Sequence, residues 1–226
     1  MRVAPDFYFE RKTAMEKTYA KPKNLKLAMG GIMVAAAALL SFIKVFELPY
    51  GGSITLCSML PIMLVGYMYG VRFGMLCGVV DGVIQAILGT ATSAFAGQKW
   101  WGVLLILFFD YIVAFSVLGL GGAFSKKIKN PQTSFLLGII VAGLARFAAH
   151  FVSGFILFGQ YAEWYFTQEG FPKFGGRILA DYSGLKLSMI YSAIYNASYM
   201  IPEIIATAVV GVILISVLHK VIKKYQ

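Results

Sequence analysis

A small set of ionisable and hydrogen-bonding residues lies inside long apolar stretches of this 226-residue chain. The set consists of Asp110, Tyr111, Arg146, His150, Tyr191, Asn196 and Glu203. Polar groups in apolar surroundings are costly unless they pair with one another or bind something. Carboxylates attract cations, and phenol, imidazole and amide groups donate and accept hydrogen bonds. These residues therefore predict a hydrophobic scaffold that holds a polar binding site.

The spacing of these residues predicts which of them share a helix face. One stripe recurs every four residues and contains Arg146, His150, Gly154 and Phe158. A second follows the i, i+4, i+7, i+11 pattern and contains Ser192, Asn196, Tyr199 and Glu203. Both patterns are typical of one face of an α-helix. Tyr191 and Asn196 are five positions apart, about 140° around a helix, so they can line one pocket only at a helix edge.

Some of these polar groups have a structural interpretation as well as a functional one. A buried arginine is more often the partner of a carboxylate than a ligand contact, and the candidates for Arg146 are Asp81, Asp110 and Glu203. We therefore predict that Asp81, Arg146 and Glu203 form structural ion pairs. A lone histidine such as His150 can equally be a satisfied core residue.

The composition predicts the scaffold. The chain is 59% hydrophobic and 13% charged, with a mean hydropathy of +0.75, which is too apolar for a soluble domain. Six stretches have few charges and are long enough, or nearly so, to cross a bilayer that needs roughly 20 helical residues. They are residues 27–46, 54–71, 73–91, 101–124, 134–158 and 187–218. We predict an all-α membrane protein with six transmembrane helices.

The distribution of positive charge predicts the orientation. With six spans, 14 Lys and Arg residues lie on the side that holds both termini and five lie on the other. The positive-inside rule then places both termini in the cytoplasm. This predicts a cytoplasmic N-terminal tail over 1–26, a membrane domain over 27–220 and a cytoplasmic C-terminal tail over 221–226. Topology and the anionic lipid bilayer account for most of the +10 net charge, so no nucleic-acid partner is expected.

Three further patterns bear on function. The outer loop from about 159 to 185 is rich in aromatic residues, which suits either a lid over a site or an interfacial belt. Gly31 and Ala35 form a small-xxx-small face on the first span, which suits internal packing or a partner subunit. Gly119, Gly121 and Gly122 lie in a span and follow no strand, which favours close helix packing over a dinucleotide loop.

The cysteines and histidines argue against other classes of protein. Cys57 and Cys77 both lie in apolar sequence and predict buried free thiols, with neither a disulfide framework nor a metal-ligand pattern. The chain has only two histidines and no nucleophile–base spacing, so we predict that it is not an enzyme. It has no phosphate-binding Gly-x-x-x-x-Gly-Lys motif. If ATP drives transport, another subunit must hydrolyse it.

Three separated motifs, in order, resemble those of a known family. They are Leu48 to Thr55 with Ser58 to Ile62, Ala145 to Gly154, and Tyr191 to Asn196 with Ser198 to Glu203. Together they resemble the thiamine-specific substrate-binding (S) component of energy-coupling factor (ECF) transporters, over roughly residues 25–220. That family is a six-helix vitamin-binding protein with cytoplasmic termini.

The resemblance implies roles for individual residues. It implies that the Asp110 carboxylate faces a bound cation beside Tyr111, and that Phe158 stacks on the ligand. His150, Tyr191 and Asn196 match the family's remaining polar ligand residues. The best-known members carry glutamate and tryptophan where this chain has Asp110 and Phe158, which bears on affinity more than on ligand class.

The resemblance also implies two surfaces. Gly31 and Ala35 match the surface by which the family docks on a transmembrane coupling subunit that works with two ATPase subunits. The first outer loop, formed by Gly51, Gly52, Ser53 and Ile54, is expected to cap the site.

The expected ligand is thiamine, and no cofactor is expected. The thiazolium ring of thiamine is a permanent cation, suited to a carboxylate and aromatic faces, and its aminopyrimidine suits Asn196, Tyr191 and His150. The predicted function is high-affinity capture of thiamine from outside for ATP-driven import. Two alternatives remain: an S component for another small vitamin, and a solitary proton-coupled transporter in which His150, Asp110 and Glu203 form a relay.

Overall fold

The computed structural model describes residues 22–48, 52–88, 95–168 and 174–222. Helices dominate the described chain. They are α1 (Pro22–Ser41), α2 (Leu60–Tyr69), α3 (Val71–Ile87), α4 (Trp100–Gly122), α5 (Pro131–Leu157), α6 (Ala162–Phe166), α7 (Phe174–Asp181) and α8 (Gly184–Ile222). A short 3₁₀ turn, Gly159–Tyr161, joins α5 to α6.

The all-α prediction is wrong in one place. The segment after α1 forms an antiparallel hairpin of β1 (Lys44–Glu47) and β2 (Ser53–Thr55), so the first helix ends at Ser41 instead of continuing to residue 46. Hydropathy does not distinguish a strand from a helix, and the flanking sequence carried a hairpin signal. β-Branched and aromatic residues lie on both sides of Gly51 and Gly52.

The second predicted span is also shorter than expected. Strand β2 occupies its start, and α2 itself runs for 10 residues. Gly70 ends α2 with φ 91°, a left-handed backbone conformation that favours glycine, and α3 begins at the next residue. Helix α2 lies in the centre of the molecule, with all its residues but the last buried. The apolar composition of α2 is therefore explained by its burial within the protein.

Four helices are long and apolar enough to cross a bilayer within the part of the chain that the structure describes. They cover Lys23–Ser41, Trp100–Gly122, Pro131–Leu157 and Gly184–Ile222. Helices α2 and α3 coincide with the second and third predicted spans but are shorter, at 10 and 17 residues. The multi-pass character is clear from the four long helices, whereas six complete crossings and the orientation of the termini stay predictions.

Helix α4 is not a regular α-helix. It begins as an α-helix over Trp100–Ile106, widens into a π-helix over Leu107–Val113, and returns to α-helix over Ala114–Ser116. It then tightens into a 3₁₀ helix over Val117–Gly122. π-Helical segments inside α-helices often occur at functional sites because they rotate side chains out of the regular register. Asp110 and Tyr111 lie in this segment.

Glycines hold α2, α3 and the end of α4 together at backbone contact. A Cβ added at Gly119 would collide with the Gly74–Met75 backbone, and one added at Gly122 would collide with the Gly66 carbonyl. The prediction of close helix packing for this glycine cluster is therefore confirmed. Cys57 and Cys77 are buried and free, also as predicted.

The Gly122→Ala variant tests this packing. The added methyl group meets backbone, which cannot rotate away, so we expect the free energy of unfolding to fall by about 1–3 kcal/mol. Reversible unfolding of the detergent-solubilised protein would measure the change. Gly176→Ala is the matched control, because nothing lies within 4 Å of a Cβ at that position. Equal stability of the two variants would contradict the packing argument.

Candidate functional site

A cavity of about 150 Å³ lies between the hairpin, α4, α5 and α8. All the residues predicted to bind ligand contribute to its wall: Asp110, Tyr111, His150, Phe158, Tyr191 and Asn196. They come from three helices that are distant in sequence. The structure thus brings the predicted shell together, while contact between these residues and a ligand stays a prediction.

Asp110 is the carboxylate at the centre of the wall. Its Oδ1 lies 2.7 Å from His150 Nδ1, and its Oδ2 accepts a hydrogen bond of 2.5 Å from Ser153 Oγ. Both partners lie on α5, three residues apart on one face. Each carboxylate oxygen therefore has one fixed partner, which holds the plane of the group while leaving lone pairs for a further donor or cation.

Arg146 continues this chain of contacts. Its Nε donates to His150 Nε2 at 3.3 Å, one helical turn away, and its Cζ lies 4.4 Å from the centroid of the Phe115 ring. Tyr111 and Phe115 are stacked in parallel, with centroids 6.3 Å apart. The guanidinium is thus placed by a histidine on one side and an aromatic face on the other.

The predicted structural ion pairs need correction. Within the described ranges, Arg146 forms no direct salt bridge with Asp81, Asp110 or Glu203. The i, i+4 register of α5 directs its Nε to His150, and each of the carboxylates has another partner. Electrostatic attraction between Arg146 and these groups remains, but at longer range.

Asp81 and Glu203 belong to different local networks. Asp81 is buried and accepts a 3.4 Å hydrogen bond from Gln85 Nε2, and Gln85 also bonds Ser41 on α1. Asp81 itself does not line the cavity, although Gln85 does. Glu203 lines the cavity and accepts two hydrogen bonds from Thr55, one from the backbone nitrogen and one from Oγ1, both 2.7 Å.

One face of α8 supplies the far wall. Asn196 Oδ1 accepts a 2.7 Å bond from Tyr199, and Asn196 Nδ2 donates to the Ser192 carbonyl at 2.8 Å, so the amide has a fixed orientation. Tyr191 is 2% exposed and also faces the cavity. Tyr191 and Asn196 therefore line the same cavity, although they are about 140° apart around the helix. Pro202 lies within α8 without ending it.

The predicted ligand shell left out several residues that line the cavity. Tyr195 and Tyr199 contribute to the wall beside Tyr191, and Ser153 contributes from α5. The tyrosines are four residues apart, so a stripe at helical spacing was visible in the sequence. The serine gave no such signal, because its role depends on Asp110 lying opposite, 43 positions away.

The hairpin forms part of the cavity wall, and its role as a cap over a bound ligand stays a prediction. Gly52 and Ser53 line the cavity, whereas Ile54 does not and instead packs with the aromatic cluster of α8. The Gly52 nitrogen donates to Tyr195 Oη at 3.2 Å, and Thr55 is bonded to Glu203. The hairpin is thus attached to α8 at two points. Gly51 lies outside the described residues.

The aromatic-rich segment that follows α5 has two parts with different surroundings. Tyr165 and Phe166 of α6 are buried, and the Tyr165 ring lies 5.2 Å from that of Tyr191. Trp164 and Phe174 are 43% and 51% exposed. The segment therefore combines a buried cover behind the α8 tyrosines with an exposed aromatic edge. Trp164 does not line the cavity beside Phe158.

The two small residues on α1 face outward. Gly31 and Ala35 are exposed, whereas Gly30 packs against Phe73 and Cys77 of α3. Internal packing therefore accounts for Gly30 and not for Gly31 or Ala35. The outward face is open to lipid or to another protein.

The cavity combines charge with aromatic surface. Its wall includes the carboxylates of Asp110 and Glu203 and the basic side chains of Arg146 and Lys44. Among the described residues, no cluster of three His, Cys, Asp or Glu side chains could hold a metal ion. Carboxylates, hydroxyls, an amide and aromatic faces in one wall suit a small molecule with several hydrogen-bonding groups.

The fold and the site together define a class: a multi-pass helical membrane protein with a polar, aromatic-lined cavity for a small molecule. The model of the thiamine transporter protein family (Thia_YuaJ) matches residues 27–165. The chain belongs to this family. It is therefore a multi-pass protein of the cell membrane, and membership of a transporter family confirms the prediction that it is not an enzyme.

Individual relatives agree with this assignment. The thiamine transporter ThiT of Bacillus subtilis (strain 168) is 30% identical over 203 residues, covering 85% of this chain and 91% of that protein. A solved structure of ThiT from Listeria monocytogenes matches with a TM-score of 0.63 and 21% identity. The match covers 91% of this chain and 98% of the Listeria chain, which supports a shared fold. The family resemblance read from the three motifs is confirmed.

The Thr55→Val variant tests the attachment of the hairpin. Valine keeps the shape and removes the hydroxyl that donates to Glu203, and hydrogen bonds to charged groups contribute about 1.5–3 kcal/mol. We expect a loss of this size in the free energy of unfolding and faster hydrogen exchange in β1 and β2. The control is Thr167→Val, which removes an exposed hydroxyl bonded to the Trp164 carbonyl. Identical exchange in both variants would show that the hairpin is held by other contacts.

Proposed function

We propose that this protein is the thiamine-binding subunit of an ECF-type vitamin uptake transporter. The observation that carries the proposal is the convergence of Asp110, His150 and Asn196 with Phe158 and the α8 tyrosines on one cavity. Membership of the thiamine transporter protein family supports thiamine as the ligand. No cofactor is required, since binding and not chemistry is the task.

The proposed binding mode places the thiazolium ring near Asp110. A permanent cation gains most from a carboxylate and aromatic faces where water is excluded. The aminopyrimidine would then lie toward α8, where Asn196 Oδ1 and the phenols of Tyr191 and Tyr195 offer hydrogen bonds. Phe158, at the end of α5, would supply the stacking surface. A ligand that left these groups unpaired would bind weakly.

The proposal includes a topology of six membrane crossings with both termini in the cytoplasm. The charge bias supports this orientation, with residues 27–220 as the membrane domain between short tails. Residues 1–21 and 223–226 of those tails lie outside the described residues. The hairpin and α6 would then lie on the outer side, where the ligand enters.

We further propose that import depends on partner subunits. The exposed face around Gly31 and Ala35 would dock on a transmembrane coupling subunit, which works with two ATPase subunits that hydrolyse ATP. Small residues allow close approach of another helix in the bilayer. The lipid bilayer is the remaining partner, and nucleic acid is not one.

Calorimetric titration of the purified protein tests the ligand. We expect thiamine to bind with high affinity, at or below micromolar Kd, and riboflavin and biotin to bind far more weakly. Asp110→Asn should raise the Kd for thiamine by about tenfold or more, because a charge-assisted contact is lost. Asp181→Asn, which removes an exposed carboxylate, is the control. Binding of a different vitamin in place of thiamine would overturn the proposal.

Co-purification tests the docking face. In cells that also express the coupling subunit and both ATPases, Gly31→Leu should abolish capture of those subunits, because the larger side chain prevents close helix approach. Thiamine binding by the isolated protein should be unchanged. Val209→Leu, a substitution on the exposed face of α8, is the control. Normal capture by Gly31→Leu would move the interface to another surface.

A further inference from the structure

Helices α1 and α3 each contribute one residue to the cavity wall among the described residues. They are Ser41, the last residue of α1, and Gln85, near the end of α3. Gln85 is 3% exposed, and Asp81, one turn earlier on α3, is 1% exposed. A buried carboxylate and a buried amide in an apolar helix cost free energy unless they bind something. The predicted ligand shell includes neither of them.

The packing of α3 brings Gln85 close to the part of the wall that holds Asp110 and Tyr111. A Cβ added at Gly82 would collide with the Tyr111 carbonyl, so α3 is in backbone contact with the π-helical segment of α4. Gln85 lies three residues after Gly82, on the same face of α3. Gln85 therefore enters the cavity wall beside the predicted ligand shell.

The Gln85 amide has a defined orientation. Ser41 does not set it, because a hydroxyl can donate or accept, and Ser41 Oγ lies 2.9 Å from Gln85 Nε2 and 3.1 Å from Gln85 Oε1. Asp81 does set it, because a carboxylate oxygen only accepts, and Nε2 donates to Asp81 Oδ1 at 3.4 Å. The amide nitrogen is thus directed to Asp81 and Ser41.

The amide oxygen is the group of Gln85 that can bind a ligand. Ser41 Oγ has one hydrogen, and the Ala38 carbonyl, at 2.7 Å, is a closer acceptor for it than Gln85 Oε1. A carbonyl oxygen has two lone pairs, so a bond from Ser41 does not exhaust it. This corner of the cavity therefore offers a hydrogen-bond acceptor.

We propose that Gln85 is a specificity-determining residue whose Oε1 accepts a hydrogen bond from an N–H or O–H group of the ligand, and that Asp81 is the positioning residue that orients it. The inference rests on the proposed function for the identity of the ligand. Thiamine has two such donors, the amino group of its pyrimidine ring and the hydroxyl of its hydroxyethyl chain. A ligand without the donor loses this hydrogen bond in a site from which it displaces water.

Two analogues of thiamine test which donor Gln85 recognises. One has an ethyl group in place of hydroxyethyl, and the other has an oxo group in place of the amino group. In calorimetric titration of the wild-type protein, we expect the analogue that lacks the recognised donor to bind about tenfold more weakly than thiamine. In Gln85→Met, which keeps the length of the side chain and removes the amide, the same analogue should bind within about twofold of thiamine.

Asp81→Asn tests the positioning role. An asparagine side chain donates as well as accepts, so it no longer holds the Gln85 amide in one orientation. We expect the Kd for thiamine to rise by about threefold, while the Kd for the analogue without the recognised donor stays unchanged. Equal weakening of both ligands would show that Asp81 is only structural. Gln132→Met, which makes the glutamine-to-methionine change outside the cavity, should alter neither Kd.

The outcomes separate this inference from the proposed function. If the wild-type protein does not bind thiamine, both fall. If thiamine binds, and both analogues bind as tightly or lose the same affinity in Gln85→Met as in wild type, the proposed function stands and the role of Gln85 is refuted. Should Gln85→Met fail to fold, Gln85→Asn gives the same comparison, because it keeps an amide and withdraws the oxygen by one methylene.

Discussion

The structure depends on one constraint: polar groups inside a membrane bundle must satisfy one another, because the hydrocarbon core offers no hydrogen-bond partners. Asp110 meets this constraint through His150 and Ser153, and Arg146 meets it through His150 and the face of Phe115. Each polar group in this network has a partner, but not all of its hydrogen-bonding capacity is used. Each Asp110 oxygen keeps capacity for a further interaction, so the contacts that satisfy this carboxylate also orient it.

Two departures from regular helix serve the same site. The π-helical segment Leu107–Val113 contains Asp110 and Tyr111, and both side chains line the cavity. The β-hairpin forms part of the cavity wall and is bonded to α8 through Gly52 and Thr55. Non-helical backbone at membrane depth is tolerated where protein or a cavity surrounds it. Behind the site, the glycine contacts among α2, α3 and α4 form the closely packed support.

Much of the site could be predicted because its residues are chemically conspicuous. An aspartate, a histidine and an asparagine within apolar helices attract notice, and all three line the cavity. The partners of Arg146 and Glu203 could not be predicted in the same way. Several carboxylates were plausible partners for Arg146, but the rotation of α5 directs its Nε to His150. Glu203 instead accepts hydrogen bonds from Thr55 of the hairpin. The resemblance to a known family added the expectation of a loop over the site, and Gly52 and Ser53 of the hairpin line the cavity.

The sequence by itself determined the class of protein, the approximate helices and the faces that carry polar residues. Hydropathy and the 3.6-residue period are local properties, so they can be read from the chain without its fold. Only the tertiary structure decided which polar groups bond one another, since Asp110 meets His150 across 40 positions and Thr55 meets Glu203 across 148. Such pairings depend on how the helices rotate and approach as they pack. A shift of one residue along an α-helix such as α5 or α8 would turn His150 or Glu203 about 100° away from its partner.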